Sequence, residues 1–579
     1  MKTPLILSAL LIFAMSATLY SQQTNYSRYM LDLIPADAVF VATVKSNSIE
    51  SKLSWQKMSE MSVSENLLRF IGTQLSINDN KFFLELMRNP KSKGIDFPED
   101  LMAFAGKQSD KKFINIILPL KDVVLFKTEI SNYFGPNFNN SIVAKGQFLT
   151  YTHNERTAIS WNKNIAVVTL LLPNISNFNF SEQDKSITNI ALGNYLDRIC
   201  STDTKETMLR NSLFTDWNAK VRDAGIWVDY KEVMRLNLEN YIGATKLPKQ
   251  ALNLIEILLN NNRDIKLASD ISFEKGEILS NTVIYADQDL INLSRSATSN
   301  RANKRMLQYI DGQKTGFYMT MASSPKGVYE GLKIYLGDKA GGLKASVEDL
   351  FGLLEIFIDE KDAFNFLKGD LFYAMNGLKT VEKITTEYEY DSEKDEYVPV
   401  ETKTKEQIPL LTVGFSYGKK EQMLKLIRIV ERTGYLKKLK NNLFAFSVPT
   451  FNDPVYVKMD KGLMVFSNDD QRMNGNKKYR PLSKKHNRYL KTDFQTFYFN
   501  TAAFTDIIQG IGPLGEFKPI LKNFKDGVGD ISIHSRRPKK KDNFITQNFV
   551  LDLKNKEENA LKQLFDFTER IYNSALKGL

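Results

Sequence analysis

Apolar residues recur along this chain in two spacings, every second residue over short stretches and every third or fourth over longer ones. The order in which those stretches follow one another is used twice. Ile34–Leu53, IPADAVFVATVKSNSIESKL, predicts a turn at Pro35 and Asp37, a strand over Val39–Val44 and a helix from Ile49 onward. Phe317–Leu332, FYMTMASSPKGVYEGL, repeats that order. A helix and a short apolar strand come next, Phe82–Met87 then Asp100–Gly106, matched by Phe351–Ile358 then Asp370–Gly377. A strand leading into a helix follows, Phe113–Leu118 then Val123–Phe134, matched by Leu410–Phe415 then Glu421–Val430. The hairpin Thr157–Val168 parallels Val455–Phe466. The turns Asn162-Lys-Asn164 and Asp460-Lys-Gly462 carry residues that tolerate positive φ. Gly225–Tyr230 with Lys231–Leu236 is matched by Thr496–Asn500 with Thr501–Ile508. A closing hairpin, Asp270–Tyr285, is matched by Asp530–Asp552, and a final helix follows each, Asp287–Met306 and Lys556–Tyr572.

Each element is commonplace, but their shared order points to a duplication. Hairpins dominate and there is no regular βαβ alternation, so the expected class is α+β: two tandem duplicated modules, each a mostly antiparallel sheet with helices packed on one face. In Leu411–Tyr417, apolar residues alternate with small or polar ones, as a half-buried strand requires. The modules are expected at 22–300 and 301–579, joined near Ser294–Lys304, a polar stretch without large apolar residues. Residues 378–407 have no counterpart in the first module. They read as an inserted, highly charged β-hairpin with its turn at Asp391–Glu396, either a solvated two-stranded arm or a contact arm for a partner.

At 579 residues, 42% hydrophobic and 25% charged, the chain has globular composition and is too long for one core. Lys2 and the apolar run Leu5–Ala17, with small residues at Ser16, Ala17 and Ser21, read as a signal peptide over 1–21; an uncleaved anchor helix is the alternative. No later stretch is apolar over eighteen residues, so no transmembrane segment is expected in the mature chain. Cys200 is the single cysteine. It excludes an intramolecular disulfide, reads as a buried apolar thiol, and leaves no cysteine near the signal for lipid attachment.

Leu33-Ile-Pro-Ala-Asp-Ala-Val-Phe-Val41, set just after an export signal, and the hairpin ending Gly462-Leu-Met-Val-Phe-Ser-Asn-Asp469 resemble a large uncharacterised family of Bacteroidota cell-envelope proteins. The resemblance implies an envelope location, periplasmic or outer-membrane-associated, and no known activity. Many members are lipoproteins, a pattern from which this chain departs.

Several motifs invite chemistry. Gly414-Phe-Ser-Tyr-Gly418 matches a nucleophile elbow, and Asp469, His486 and His534 follow it, so a serine hydrolase using Ser416 is one reading. Against it, the elbow belongs to parallel doubly wound sheets, and Ser416 alternates with Phe415 and Tyr417 as an ordinary strand residue would. Gly510-Ile-Gly-Pro-Leu-Gly515 follows a helix and contains Pro513, which argues against a dinucleotide fingerprint. His153, His486 and His534 have no metal-ligand spacing, and Asp391, Glu393 and Asp395 lack the glycine and glutamate of a calcium loop. No cofactor is implied.

Charge is uneven. Residues 301–579 hold 46 Lys and Arg against 36 Asp and Glu, or +10 of the net +11. Within 471–490, Arg472, Lys477, Lys478, Arg480, Lys484, Lys485 and Arg488 stand with no acidic residue, interleaved with Tyr479 and Tyr489. Arg536, Arg537, Lys539, Lys540 and Lys541 tip the closing hairpin. These clusters read either as solvated loops or as a surface for an anionic glycan, lipopolysaccharide phosphates or an acidic protein, with the tyrosines stacking on sugars. Nucleic acid is a poor partner for an exported protein. The leading expectation is a non-enzymatic binding or scaffold protein of the cell envelope.

Overall fold

The computed structural model of the chain describes residues 25–62, 64, 89–96, 100–108, 111–135, 138–154, 156–172, 182–201, 206–231, 233, 265–299, 302–339, 366–391, 395–446, 453–476, 478–512 and 518–578. The signal segment and the helices expected at Phe82–Met87 and Phe351–Ile358 lie outside them, as does nearly all of Lys231–Leu236. The chain is α+β and divides into two compact units: residues up to Tyr285 with Asn555–Lys577, and Ala286–Lys554. Among the described residues no helix is long and apolar enough to cross a membrane.

In the first unit the strands are β1 (Phe40–Val44), β2 (Leu101–Gln108), β3 (Lys111–Pro119), β4 (Ile142–Lys145), β5 (Phe148–Asn154), β6 (Thr157–Trp161), β7 (Ile165–Leu172), β8 (Ala224–Asp229), β9 (Lys266–Glu274) and β10 (Glu277–Tyr285). Their antiparallel pairings give the order β4-β5-β6-β7-β3-β2-β1-β8-β9-β10. Helices α1 (Asn25–Leu33), α2 (Ser46–Lys52), α3 (Trp55–Glu60), α4 (Val123–Phe134), α5 (Glu182–Cys200) and α6 (Ser212–Asn218) punctuate them. Phe113 and Ile117 of β3 enter one core with Leu192, Leu196 and Phe214 of α5 and α6. On the opposite face α4 and the loop after it cover the sheet: Phe126 meets the buried Trp161 edge-on at 6.5 Å and Phe138 stacks on it at 5.8 Å. Helices therefore cover both faces, not one. The reason lies in β3 and β7, whose near-continuous apolar runs leave no face fit for water.

In the second unit the strands are β11 (Phe317–Ala322), β12 (Leu367–Asp391), β13 (Glu396–Tyr417), β14 (Leu436–Lys440), β15 (Leu443–Phe446), β16 (Val455–Asp460), β17 (Leu463–Ser467), β18 (Gln495–Asn500), β19 (Val528–Arg536) and β20 (Phe544–Leu553). They pair in the order β14-β15-β16-β17-β13-β12-β11-β18-β19-β20, strand for strand the order of the first unit. The helices are α7 (Gln288–Ala297), α8 (Pro325–Lys339), α9 (Lys420–Arg432), α10 (Asp470–Met473), α11 (Lys484–Thr492), α12 (Thr501–Ile511) and α13 (Lys518–Gly527). Leu463 and Val465 of β17 pack in a core with Met473 and Leu490, while Met464 between them joins Met423 and Ile427 of α9 on the other face. The two hairpin turns differ. Lys461 and Gly462 take positive φ, whereas Asn162 closes its turn by accepting from the amides of Asn164 and Ile165 at 2.9 and 3.0 Å.

The units do not divide within Ser294–Lys304. The helix after each closing hairpin belongs to the other unit: α7, after β10, is part of the second, and α14 (Ala560–Gly578), after β20, is part of the first. Side chains and glycines account for both placements. A Cβ on Gly327 of α8 would overlap the Ser296 carbonyl of α7, and one on Gly331 would overlap Leu293, so the two helices touch through a glycine seam. The Arg537 guanidinium donates to the Arg295 carbonyl at 2.9 Å, and Arg295 donates to the Lys539 carbonyl at 3.0 Å. At the first unit, Asn559 Nδ2 donates to the Phe273 carbonyl at 3.0 Å, Gly276 N to the Glu558 carbonyl at 2.9 Å, and Lys556 Nζ to the Gly276 carbonyl at 3.0 Å.

The inserted hairpin is the outer part of β12 and β13. Strand β12 pairs with β11 only over Asp370–Met375, and β13 with β17 only over Thr412–Ser416. Beyond the sheet they pair with each other, from Leu378 opposite Pro409 to Asp391 opposite Glu396. At about 3.4 Å per residue that is a ribbon roughly 40 Å long. Its base rests on α12, where a Cβ on Gly510 would overlap Leu378 and Gln407. Gly510 thus lies in the last turn of a helix against the ribbon, and residues 513–515 of its glycine motif lie outside the described residues.

Candidate functional site

The basic stretch 471–490 separates into structural and exposed residues. Asp469 caps α10 by accepting from the Arg472 amide at 3.1 Å, and its other oxygen accepts from the Tyr479 hydroxyl at 2.6 Å. Burial first, and that carboxylate second, push the Tyr479 hydroxyl well above its usual range. The Arg472 guanidinium lies between the rings of Tyr309 and Tyr479, 5.2 and 5.0 Å from their centroids, and donates to the Gln308 carbonyl. Ser483 caps α11 by accepting from the His486 amide at 3.3 Å, which turns His486, Tyr489 and Leu490 inward. Lys485, half-buried, reaches Asp552 at 3.3 Å. Lys478, Arg480, Lys484 and Arg488 remain exposed; Lys477 lies outside the described residues.

The interleaved tyrosines are not ligand platforms. Tyr479 closes the Asp469 cap, and buried Tyr489 stacks on His534 at 4.1 Å. In the second basic cluster Arg537 is spent on the Arg295 carbonyl, whereas Arg536, Lys539, Lys540 and Lys541 are exposed. Arg536 Nε stands 3.4 Å from Asp493, whose other oxygen lies 3.0 Å from His534 Nδ1.

Ser416 is a buried mid-strand residue. Its hydroxyl accepts from Asn303 Nδ2 at 3.0 Å and donates to Asp370 at 3.1 Å. His534 is on β19, four strand positions from β13, or about 19 Å at usual strand spacing. His486 packs at 4.2 Å on Tyr498 of β18, and Asp469 is occupied by Tyr479. The fold does not bring the serine, aspartate and histidines of the hydrolase reading together. The small residues around Ser416 have a packing cause: a Cβ on Gly414 would overlap the ring of Phe372. Cys200 is buried, and burial pushes its thiol up to about 11.

The titration of two groups, the half-buried Asp370 and the buried His486, was not foreseen from the sequence. Asp100 and Asp370 stand near the start of the corresponding strands of the two units. In the first unit Lys45 Nζ is 2.6 Å from Asp100. In the second the residue opposite Asp370 is Ala322, and with no cation there burial pushes the Asp370 carboxyl up to about 6. His486, buried among Tyr318, Tyr489 and Tyr498, is pushed down to about 4 by burial, with Lys485 adding to the effect. The repeated Asp was the available signal for the first; nothing local marks the second.

Their signs are opposite. A raised carboxyl holds its proton in the folded state after the unfolded chain has lost it, so its contribution falls as pH rises through about 4 to 6. A depressed histidine contributes stability that is lost as pH falls from about 6.5 to 4. Asp370→Asn is expected to stabilise the second unit at pH 8 by about 2 kcal/mol, and His486→Phe to reduce its acid sensitivity by a similar amount. Urea titrations from pH 4 to 8 read both; an unchanged pH slope in either variant counts against the corresponding assignment.

The outer ribbon supplies the other exposed feature. Register puts Tyr390 opposite Tyr397 and Tyr388 opposite Pro399, so these share one face. Tyr388, Tyr390 and Tyr397 are 68%, 54% and 68% exposed, and Ile384 on the same face is 55% exposed. The Tyr390 and Tyr397 rings meet edge-on at 5.4 Å, and the Tyr390 hydroxyl donates to Asp395 at the turn.

No protein-family model, curated protein or solved structure matches the chain.

Proposed function

We propose that this chain is an exported, non-enzymatic binding or scaffold protein of the cell envelope, built by duplication of one module, and that the ribbon at 378–407 is its contact arm. The observation that carries this reading is the aromatic face of Tyr388, Tyr390 and Tyr397, held in water at the end of a long paired ribbon. Tyrosine is among the residues enriched where protein interfaces are anchored. Matched strand order in the two units supports duplication, and the signal-like N-terminus with the Ile34-Pro-Ala-Asp-Ala38 opening supports export and the family resemblance.

The test is capture from envelope fractions by the mature chain and by a form in which 382–405 is replaced by Asn-Gly, which closes the ribbon just beyond the Val381–Glu406 pair. Partners held by the full ribbon are expected to be lost from the shortened form. Equal capture by both would remove the ribbon from the function. A second reading, an anionic-glycan or lipopolysaccharide surface, rests on exposed Lys478, Arg480, Lys484 and Arg488, and predicts capture that survives ribbon shortening but not charge neutralisation of those four.

A further inference from the structure

Resting on the contact-arm reading, we propose that the ribbon's partner is a second copy of this chain, with the ribbon tip of one copy docking on the exposed basic surface around α11 of the other. The sequence of the tip is rich in the groups that recognise cations. Residues 378–407 hold nine acidic against five basic residues, and 387–396 hold six against one, on a chain whose net charge is +11. Tyr388, Tyr390 and Tyr397 are exposed in the same stretch of the ribbon. Ammonium and guanidinium groups bind both carboxylates and aromatic faces. The same chain already holds one guanidinium in this way, Arg472 between Tyr309 and Tyr479.

The complementary surface lies on the second unit. Lys478, Arg480, Lys484 and Arg488 are exposed within a twenty-residue stretch that contains no acidic residue. A ribbon about 40 Å long carries its tip away from the sheet of its own unit. Its exposed tyrosines show that the described residues of its own chain do not cover them. A second copy supplies the missing cations, and the contact joins two different patches, ribbon to α11. Reciprocal exchange closes a dimer, while one-way docking builds an open chain of copies. Complementary charge steers such an encounter and makes it salt-sensitive.

The experiment is sedimentation velocity of the mature chain at roughly 50 and 500 mM salt, spanning strong and weak screening. Three forms are compared: wild type, the Asn-Gly ribbon-shortened form, and a patch form carrying Lys478→Gln, Arg480→Gln, Lys484→Gln and Arg488→Gln. All four replaced side chains are exposed, so circular dichroism should match wild type. Wild type is expected to self-associate at low salt and weaken by tenfold or more at high salt. Each variant alone is expected to be monomeric, and an equimolar mixture of the two to recover association, because one brings an intact ribbon and the other an intact patch. Wild type that stays monomeric at low salt, or association that persists in both variants, overturns the proposal. If wild type is monomeric yet its ribbon still captures another envelope component, the contact-arm reading stands and self-docking falls. If the ribbon captures nothing and wild type is monomeric, both fall.

Discussion

Truncation after Lys554 is expected to destabilise the first unit, residues 25–285, by on the order of 3–5 kcal/mol while leaving the second unit folded. The deleted segment belongs to the unit from which it is most distant in sequence. It carries Leu561 and Phe565, 0% and 4% exposed, and Ala560, fully buried. Burial of two large apolar side chains contributes about 3–6 kcal/mol, with the hydrogen bonds from Asn559 Nδ2 to the Phe273 carbonyl and from Gly276 N to the Glu558 carbonyl in addition. Part is offset because the helix no longer has to be ordered. The β9–β10 turn is directly affected: Gly276 has φ +65° and lies so close to Lys556 that a Cβ would sit 2.7 Å from its Cα. Hydrogen exchange read by mass spectrometry separates the units. Protection should fall in β8, β9 and β10 and persist in β11, β12 and β18. Loss confined to β18–β20, or no loss anywhere, would contradict the assignment of α14 to the first unit.

The second large effect is expected at the α7–α8 seam. Gly327→Val should cost about 3 kcal/mol and expose α7, because its branched side chain would occupy the space of the Ser296 carbonyl, and backbone meeting backbone leaves little room to relax. The same seam holds Leu293 against Gly331, so a shift that relieves one position strains the other. Helix propensity predicts the reverse sign, since glycine inside a helix costs about 0.5–1 kcal/mol relative to alanine. Gly193 of α5 provides the control: a Cβ there meets nothing within 4 Å, so Gly193→Ala should stabilise the first unit by up to about 1 kcal/mol. Denaturant melts of Gly327→Val, Gly327→Ala and Gly193→Ala test the argument. Stabilisation by Gly327→Ala as large as that of Gly193→Ala would rule out a tight seam.

Local chemistry made much of the architecture legible. Val123–Phe134 was readable as a helix because Asp122 caps it, accepting from Val124 and Leu125 amides at 3.0 and 2.9 Å. The 455–466 hairpin was readable because Lys461-Gly462 permits the positive φ of its turn. The ribbon was readable because Thr, Tyr and Val alternate through a charged stretch. The short pairs β4–β5 and β14–β15 were missed; Leu436-Lys-Lys-Leu-Lys440 is too brief and too charged to announce a strand without its neighbour.

The candidate sites were less legible, for a different reason. Arg472 and Arg488 look alike in sequence, yet one guanidinium is sandwiched between Tyr309 and Tyr479 while the other is exposed. Ser416 sits in a motif with the letters of a nucleophile elbow, but pairing puts it four strands from His534 and hands its hydroxyl to Asp370. The contacts of Arg472 with Tyr309 and of Ser416 with Asp370 join residues 163 and 46 positions apart, and no periodicity records them.

By itself the sequence determined many of the strands and several of the helices, the charge asymmetry and the inserted ribbon. These follow from short-range rules: alternation, capping and turn residues. Only the tertiary structure decided that both faces of each sheet are covered, that α7 and α14 each complete the other unit, and which cations are left in solvent. An amphipathic helix needs an apolar surface, but its own pattern does not say which one. That choice is made by long-range fit, here a glycine seam at Gly327 and Gly331 and a clasp at Gly276.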